Sequence, residues 1–385
     1  NNSSFFDFRP GMYLKEVMDV YLPRYSNSSN DFIMASHVDR MKLSACYIKS
    51  EENLSCVSCH NPHISVHDVP DNFFNSRCMD CHNLIDCEEE QDVKKQMNND
   101  CVSCHMPQSN TIDIPHVTIT DHKIRVYEDD TLDSKHTLIK DFLGLECINN
   151  DNPSDLSLVQ AYLQQYERFE ENSVYLDSAR NYLNRIDLNT NDGIYVYIYY
   201  LFLKNEYHLI IDKVNDMKID SILTYHLTEK DYTNKDAWTS YRIGEAFMSQ
   251  NSYYDAFRFY QQSVKLAPYN LEFRNKYGVS LFHQNKLAFA IDEFNFIINE
   301  DNNFVSAYTN LGYLYFSLGE YSRALSYYDY ALILDPNHQK TLINKAQLLL
   351  LDNQLKDAFL CVDKLLRLNP NHKEGVLLLN KLNEI

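Results

Sequence analysis

From residue 237 to 370 the pattern of large and small apolar positions recurs every 34 residues. Small residues stand at Gly244, Gly278, Gly312 and Ala346, and again at Ala256, Ala290, Ala324 and Ala358. Large aromatic or apolar residues stand at Tyr260, Phe294, Tyr328 and Val362, and helix-ending residues at Pro268, Asn302, Pro336 and Pro370. A period of this size marks a stacked supersecondary unit. Small side chains let two antiparallel helices approach closely, and proline stops the second helix before the next repeat begins. Residues 371–385 read as a terminal capping helix. A weaker form of the same alternation runs from Pro153 to Lys235 and predicts helices near 155–170, 173–186, 192–204 and 206–217. The Asn, Asp, Pro and Ser content of 149–155 marks a linker, with a helix start at Pro153-Ser154.

The 34-residue unit is the tetratricopeptide pattern. Ahead of it the periodicity is poor. An aromatic start at Phe5, Phe6 and Phe8, a Pro10-Gly11 turn and a short amphipathic stretch from Met12 to Leu22 lead into a polar run at 26–30. Asp31 is placed to cap a helix through about Lys49, with Phe32, Met34, Met41 and Tyr47 as its apolar positions. Beyond that, three strings dominate: Cys56-Val-Ser-Cys59-His60, Cys78-Met-Asp-Cys81-His82 and Cys101-Val-Ser-Cys104-His105. Each reads as a c-type haem attachment site, in which two thiols meet the porphyrin vinyl groups and the following imidazole bonds the iron. Zinc or redox dithiols also use paired cysteines, but leave the histidine after each second cysteine without a role.

The expected fold is therefore mainly α. A haem-packed N-terminal multihaem cytochrome domain over 1–147, with three haem c groups, precedes a linker and degenerate repeats over 148–236. Four tetratricopeptide repeats with a capping helix follow over 237–385. Porphyrin faces would supply the core that side chains do not.

Composition narrows the function. The 385 residues carry a formal net charge of −19, with 29 Tyr and 20 Phe against 8 Gly and 10 Pro. Phosphate binding needs a basic footprint that is missing, so a nucleic-acid partner is excluded. The most apolar run, Ile194 to Leu203, is half of what a membrane span requires. The chain opens Asn-Asn-Ser-Ser without a basic and apolar signal tract, and haem strings imply export, so it reads as a mature or trimmed extracytoplasmic chain. Among the remaining cysteines, Cys46 and Cys87 flank the first two strings and read either as a disulfide or as two buried thiols.

His60, His82 and His105 are the expected proximal ligands. Histidine is concentrated in the first 150 residues, which points to bis-histidine coordination and hence to electron transfer. The distal candidates are His37, His63, His116 and His122. His63 follows His60-Asn61-Pro62, where proline stops the helix; His116 and His122 come after the last string and can fold back over it.

Together with Phe8-Arg-Pro-Gly, Ala35-Ser-His37 and Ser44-Ala-Cys46-Tyr47, the strings resemble the haem region of bacterial multihaem c-type cytochromes fused to tetratricopeptide repeats. The likeness covers about 1–125 and continues into the repeats. It implies a close haem array with His37, His63, His116 and His122 as distal ligands, and structural roles for Cys46 and Cys87. Relatives of that kind often carry further strings upstream, which this chain does not.

The function expected from the sequence is an extracytoplasmic carrier passing electrons through three bis-histidine haems to redox partner proteins. Its solenoid would serve docking or self-association, and four candidate ligands for three irons point to chains joined end to end as a homopolymer. The alternative is a reductase of a small nitrogen or sulfur oxyanion with one open haem iron.

Overall fold

The computed structural model describes residues 8–26, 37–51, 53–70, 72–83, 87–110, 118–126, 141–229 and 233–384. They form two compact units, one spanning Val20–Ile148 and the other joining Asn1–Asp19 to Asn149–Ile385.

The unit from Val20 to Ile148 contains β1 (Tyr21–Tyr25), α1 (His37–Lys42), α2 (Ala45–Lys49), α3 (Cys56–Cys59), α4 (Phe73–Met79), α5 (Gln91–Gln96), α6 (Cys101–His105), β2 (Gln108–Asn110), β3 (Thr118–Thr120) and β4 (Phe142–Cys147). β1 pairs antiparallel with β4, setting Tyr21 opposite Cys147, and β2 pairs antiparallel with β3, setting Gln108 opposite Thr120. The helix expected through Lys49 is broken at Leu43-Ser44, and its first part, 31–36, lies outside the described residues. Ser44 makes the break: its hydroxyl donates to the Met41 carbonyl at 2.6 Å and accepts from the Tyr47 amide at 3.3 Å. That exchange ends one helix and caps the next.

Among the described residues of this unit no apolar side chain is buried, whereas Arg40, Ser44 and Asp121 are. The tie is a bidentate ion pair, with Arg40 Nε 2.8 Å from Asp121 Oδ1 and a terminal guanidinium nitrogen 2.6 Å from Oδ2. It clamps α1 to the segment after β3. Asn75 of α4 does the same for α6, accepting from the Cys101 amide at 3.0 Å and donating to the Asn99 carbonyl at 3.1 Å.

The second unit is helical. Degenerate pairs come first: α7 (Asp155–Arg168), α8 (Ser173–Leu183), α9 (Asn191–Leu203), α10 (Tyr207–Met217) and α11 (Ile219–Glu229). The regular repeats follow as α12 (Asn234–Ser249) with α13 (Tyr253–Leu266), α14 (Leu271–His283) with α15 (Leu287–Glu300), α16 (Val305–Ser317) with α17 (Tyr321–Leu334), and α18 (Gln339–Leu351) with α19 (Leu355–Leu368). α20 (Lys373–Asn383) closes the stack. At its start, Asp19 accepts from Asn150 at 2.9 Å and from the Ser157 hydroxyl at 2.7 Å, tying the first residues to α7.

The small residues act as the periodicity predicts. A Cβ at Gly244 would lie 2.7 Å from Tyr260, at Gly278 2.7 Å from Phe294, and at Gly312 2.5 Å from Tyr328, distances that real Cβ contacts essentially never show. Each aromatic ring of a second helix thus lies on the bare backbone of its first helix. Ala256, Ala290, Ala324 and Ala358 are completely buried where the paired helices cross. Between the helices of each pair the chain turns through a left-handed residue at Asn251, Asn285, Gly319 and Asn353, again one per period. The turns close by bonds such as Lys286 N to Leu281 O and Glu320 N to Tyr315 O, both 2.9 Å, which satisfy carbonyls that the helix end leaves open. No described helix is long and apolar enough to cross a membrane.

Candidate functional site

The first helices of successive repeats pack on one another, α14 on α16, α16 on α18 and α18 on α20. Their shared face is a groove, and midway along it lies a cavity of about 230 Å³. Its floor is apolar: Leu314, together with Phe294, whose ring reaches under α14 because Gly278 carries no side chain. Val279, Phe282 and Tyr313 form the walls.

Polar groups enter from three helices. Asn310 of α16 is buried and donates to Asn275 of α14 at 2.7 Å. Its carbonyl oxygen accepts from Lys340 of α18 at 3.2 Å. That exchange fixes the Asn310 amide and uses up its carbonyl for orienting the lysine. Although Lys340 as a residue stands open to solvent, its ammonium end is partly enclosed. Enclosure lowers its pKa, and the nearby charge of Lys276 lowers it further. Lys276 is itself paired with Glu245 at 2.8 Å, but among the described residues no carboxylate is paired with Lys340. One turn along α18, the Nδ2 of Asn344 is buried without a hydrogen-bond partner. His283 stands at the rim against Tyr253, the rings 4.1 Å apart and parallel to within 3°, and burial holds its pKa below the usual imidazole range. The arrangement combines an apolar trough with unspent donors, which suits an extended chain bearing acceptors.

None of these residues follows from the repeat-defining positions. A signal was nonetheless present: Arg242, Lys276, Asn310 and Asn344 share one register of the 34-residue period. Four hydrogen-bonding side chains recur there among positions that otherwise build a core.

The residues expected to hold haem lie in the other unit. Cys56 and Cys59 begin and end the single turn of α3, Cys78 is on α4 with Cys81 just past it, and Cys101 and Cys104 are on α6. No disulfide is formed among the described cysteines, and Cys56, Cys81, Cys87 and Cys104 are exposed. Of the pair read either as a disulfide or as two buried thiols, Cys46 is half-buried and Cys87 exposed, and no bond joins them in the structure. The Cys78 and Cys101 thiols are hydrogen-bonded, and burial, with Cys101 beside it, pushes the Cys78 thiol up to about 11.

Of the histidines, His60 packs on Phe74 with centroids 5.1 Å apart and faces His122 at 6.1 Å, while His37 lies 4.1 Å from His122. Burial lowers the pKa of both His60 and His122. One ring nitrogen of His105 is engaged by the Arg125 carbonyl at 2.9 Å, and one of His122 by Thr120 O at 2.9 Å. His63 and His82 are exposed, and His116 lies outside the described residues.

The tetratricopeptide repeat family matches residues 305–338. The chain carries tetratricopeptide repeats. It is 41% identical over 75 residues to the uncharacterized protein ycf37 of Pyropia yezoensis, a stretch covering 19% of this chain and 42% of that protein. Among solved structures it is similar to the first tetratricopeptide domain of Spaghetti bound to an HSP90 peptide, at 22% identity and a TM-score of 0.28 over 30% of this chain and 92% of that one. It is also similar to YrrB, a tetratricopeptide protein with an unusual peptide-binding site, at 14% identity and a TM-score of 0.32 over 57% of this chain and 97% of that one.

These findings correct the functional expectation. The family model that matches describes a tetratricopeptide repeat. Among the described residues, no group of three or more His, Cys, Asp or Glu side chains is placed to hold a metal ion. The three-haem electron carrier, haem c as its cofactor, and the oxyanion reductase with an open iron are all set aside on that basis. With them goes the argument for end-to-end chains built on surplus iron ligands. The fold expectation stands in its coarser form, mainly α with a tetratricopeptide solenoid.

Proposed function

We propose that this protein is a binding scaffold whose tetratricopeptide groove, formed by α14, α16 and α18, holds an extended segment of a partner protein. The observation that carries the reading is the cavity over Phe294 and Leu314, where apolar walls meet the open donors of Lys340 and Asn344. An extended chain lacks internal hydrogen bonds, so its carbonyls and side-chain acceptors can meet such donors while alternate side chains fill the trough. Stacked repeats offer this surface at little ordering cost, because the helices stand in place before the ligand arrives.

Retention of a fluorescently labelled full chain on an array of immobilised peptides tests the reading. The double variant Phe282→Ala, Tyr313→Ala should lose most retained spots, whereas Phe289→Ala, an exposed change on the second helix α15, should keep them. Equal retention by all three proteins would refute a groove-bound ligand.

A further inference from the structure

We propose that Cys78 of α4 and Cys101 of α6 are a reversible disulfide site, closed by thiol–disulfide exchange with a small-molecule disulfide such as oxidised glutathione. The bond joins two different Cys-x-x-Cys-His strings and encloses α5 between them. It belongs to the Val20–Ile148 unit and does not depend on the peptide-binding reading.

Asn75 sets the geometry. It lies one turn before Cys78 on the same face of α4, accepts from the Cys101 amide at 3.0 Å and donates to the Asn99 carbonyl at 3.1 Å. The start of α6 is thereby held against the face of α4 that carries Cys78, and the Cys78 S–H donates to the Cys101 sulfur. Both of these cysteines are half-buried, whereas Cys81 and Cys104, their companions within the two strings, are exposed. A bond between strings is favoured over one within a string, because the two half-buried thiols already touch. The unit also has a use for such a bond. Among its described residues no apolar side chain is buried, and it is held by polar ties such as that of Arg40 with Asp121. Units short of an apolar core are commonly held by disulfides instead.

Cys101 is the attacking sulfur. Burial raises the pKa of both thiols, that of Cys78 to about 11, but the hydrogen bond from Cys78 favours the Cys101 thiolate. Cys101 loses its proton to water, and its thiolate attacks one sulfur of the small disulfide, forming a mixed disulfide and expelling one small thiolate. Cys78 then gives its proton to that thiolate and attacks the Cys101 sulfur, expelling the second. Two protein thiols are oxidised and one small disulfide is reduced to two thiols, so an excess of the small thiol reverses the exchange.

The test equilibrates the full chain, reduced beforehand, in glutathione buffers of stepped oxidised-to-reduced ratio. Remaining thiols are blocked with N-ethylmaleimide, and peptides are mapped by mass spectrometry without reduction. The linked Cys78–Cys101 peptide is expected at a ratio roughly tenfold below that needed by any other cysteine pair. It should persist in Cys81→Ser and in Cys104→Ser. In Cys78→Ser the link should vanish and Cys101 should be recovered with glutathione attached, because the sulfur that resolves the mixed disulfide is gone. Recovery of Cys78 and Cys101 as blocked free thiols at every ratio would overturn the proposal. Links within a string, Cys78 to Cys81 or Cys101 to Cys104, would overturn it as well, and so would any other covalent group found on these two sulfurs after the reducing step.

Discussion

At the scale of single residues, the same tyrosine position behaves differently from repeat to repeat. Tyr260 and Tyr328 are each fully buried against a glycine of the first helix, but the Tyr260 hydroxyl donates to Glu245 while that of Tyr328 is buried without a partner. Removing a satisfied hydroxyl leaves its acceptor stranded, whereas removing an orphaned one relieves a desolvation penalty. Tyr260→Phe should therefore lower stability by about 1 kcal/mol, and Tyr328→Phe should leave it unchanged or raise it by up to about 1 kcal/mol. Urea titration of the two variants decides; equal losses would mean that the two rings hold their repeats in the same way. His338, the residue ahead of α18, supplies a pH signature. Burial lowers its pKa first, Lys340 adds to the lowering, and Asp335 opposes it. The unfolded chain then binds this proton more readily, so stability rises with pH across the imidazole range and falls as pH drops below about 6.5. Denaturation midpoints at pH 5.5 and pH 8 should differ in that direction, and less so in His338→Gln.

At the scale of elements, legibility depended on how local the cause was. The repeat helices were readable because close approach demands a small residue at one position and a large one sixteen further on, as with Gly278 and Phe294. The pairing of β1 with β4 was not, because Tyr21 and Cys147 are brought together from far apart and neither segment alternates clearly; Pro23 sits inside the first strand. The break at Ser44 was equally hidden, since its hydroxyl competes with a backbone bond without altering the apolar pattern. The groove donors were half legible: the shared register of Lys276, Asn310 and Asn344 is in the sequence, but which of them already has a partner is a property of packing alone. The Cys-x-x-Cys-His strings were the loudest signal; the structure sets their cysteines on or beside α3, α4 and α6, with His63 and His82 exposed. In that unit one contact stands out as a tie between elements. Asp121→Asn would take the carboxylate away from the buried Arg40 guanidinium, a loss of about 3 kcal/mol to the unit. Faster amide hydrogen exchange across α1 and β3 should follow, and unchanged exchange there would show that the pair is dispensable.

At the scale of the whole molecule, two compact units divide the labour differently. The Val20–Ile148 unit has polar ties and exposed thiols; the repeat unit has the apolar core clusters and the groove. Trp238, the single tryptophan, stacks edge-on to Phe273 at 4.8 Å inside the repeat unit, so its fluorescence reports on that unit. The central claim is that binding takes place on the first helices of the repeats. The most direct measurement is cross-linking of an array-selected, end-blocked peptide carrying a benzophenone side chain to the full chain, with the attachment sites read by mass spectrometry. Attachment to α14, α16 and α18, at residues such as Phe282, Tyr313 or Lys340, is the predicted result. Attachment confined to α15, α17 and α19, or to the Val20–Ile148 unit, would contradict it.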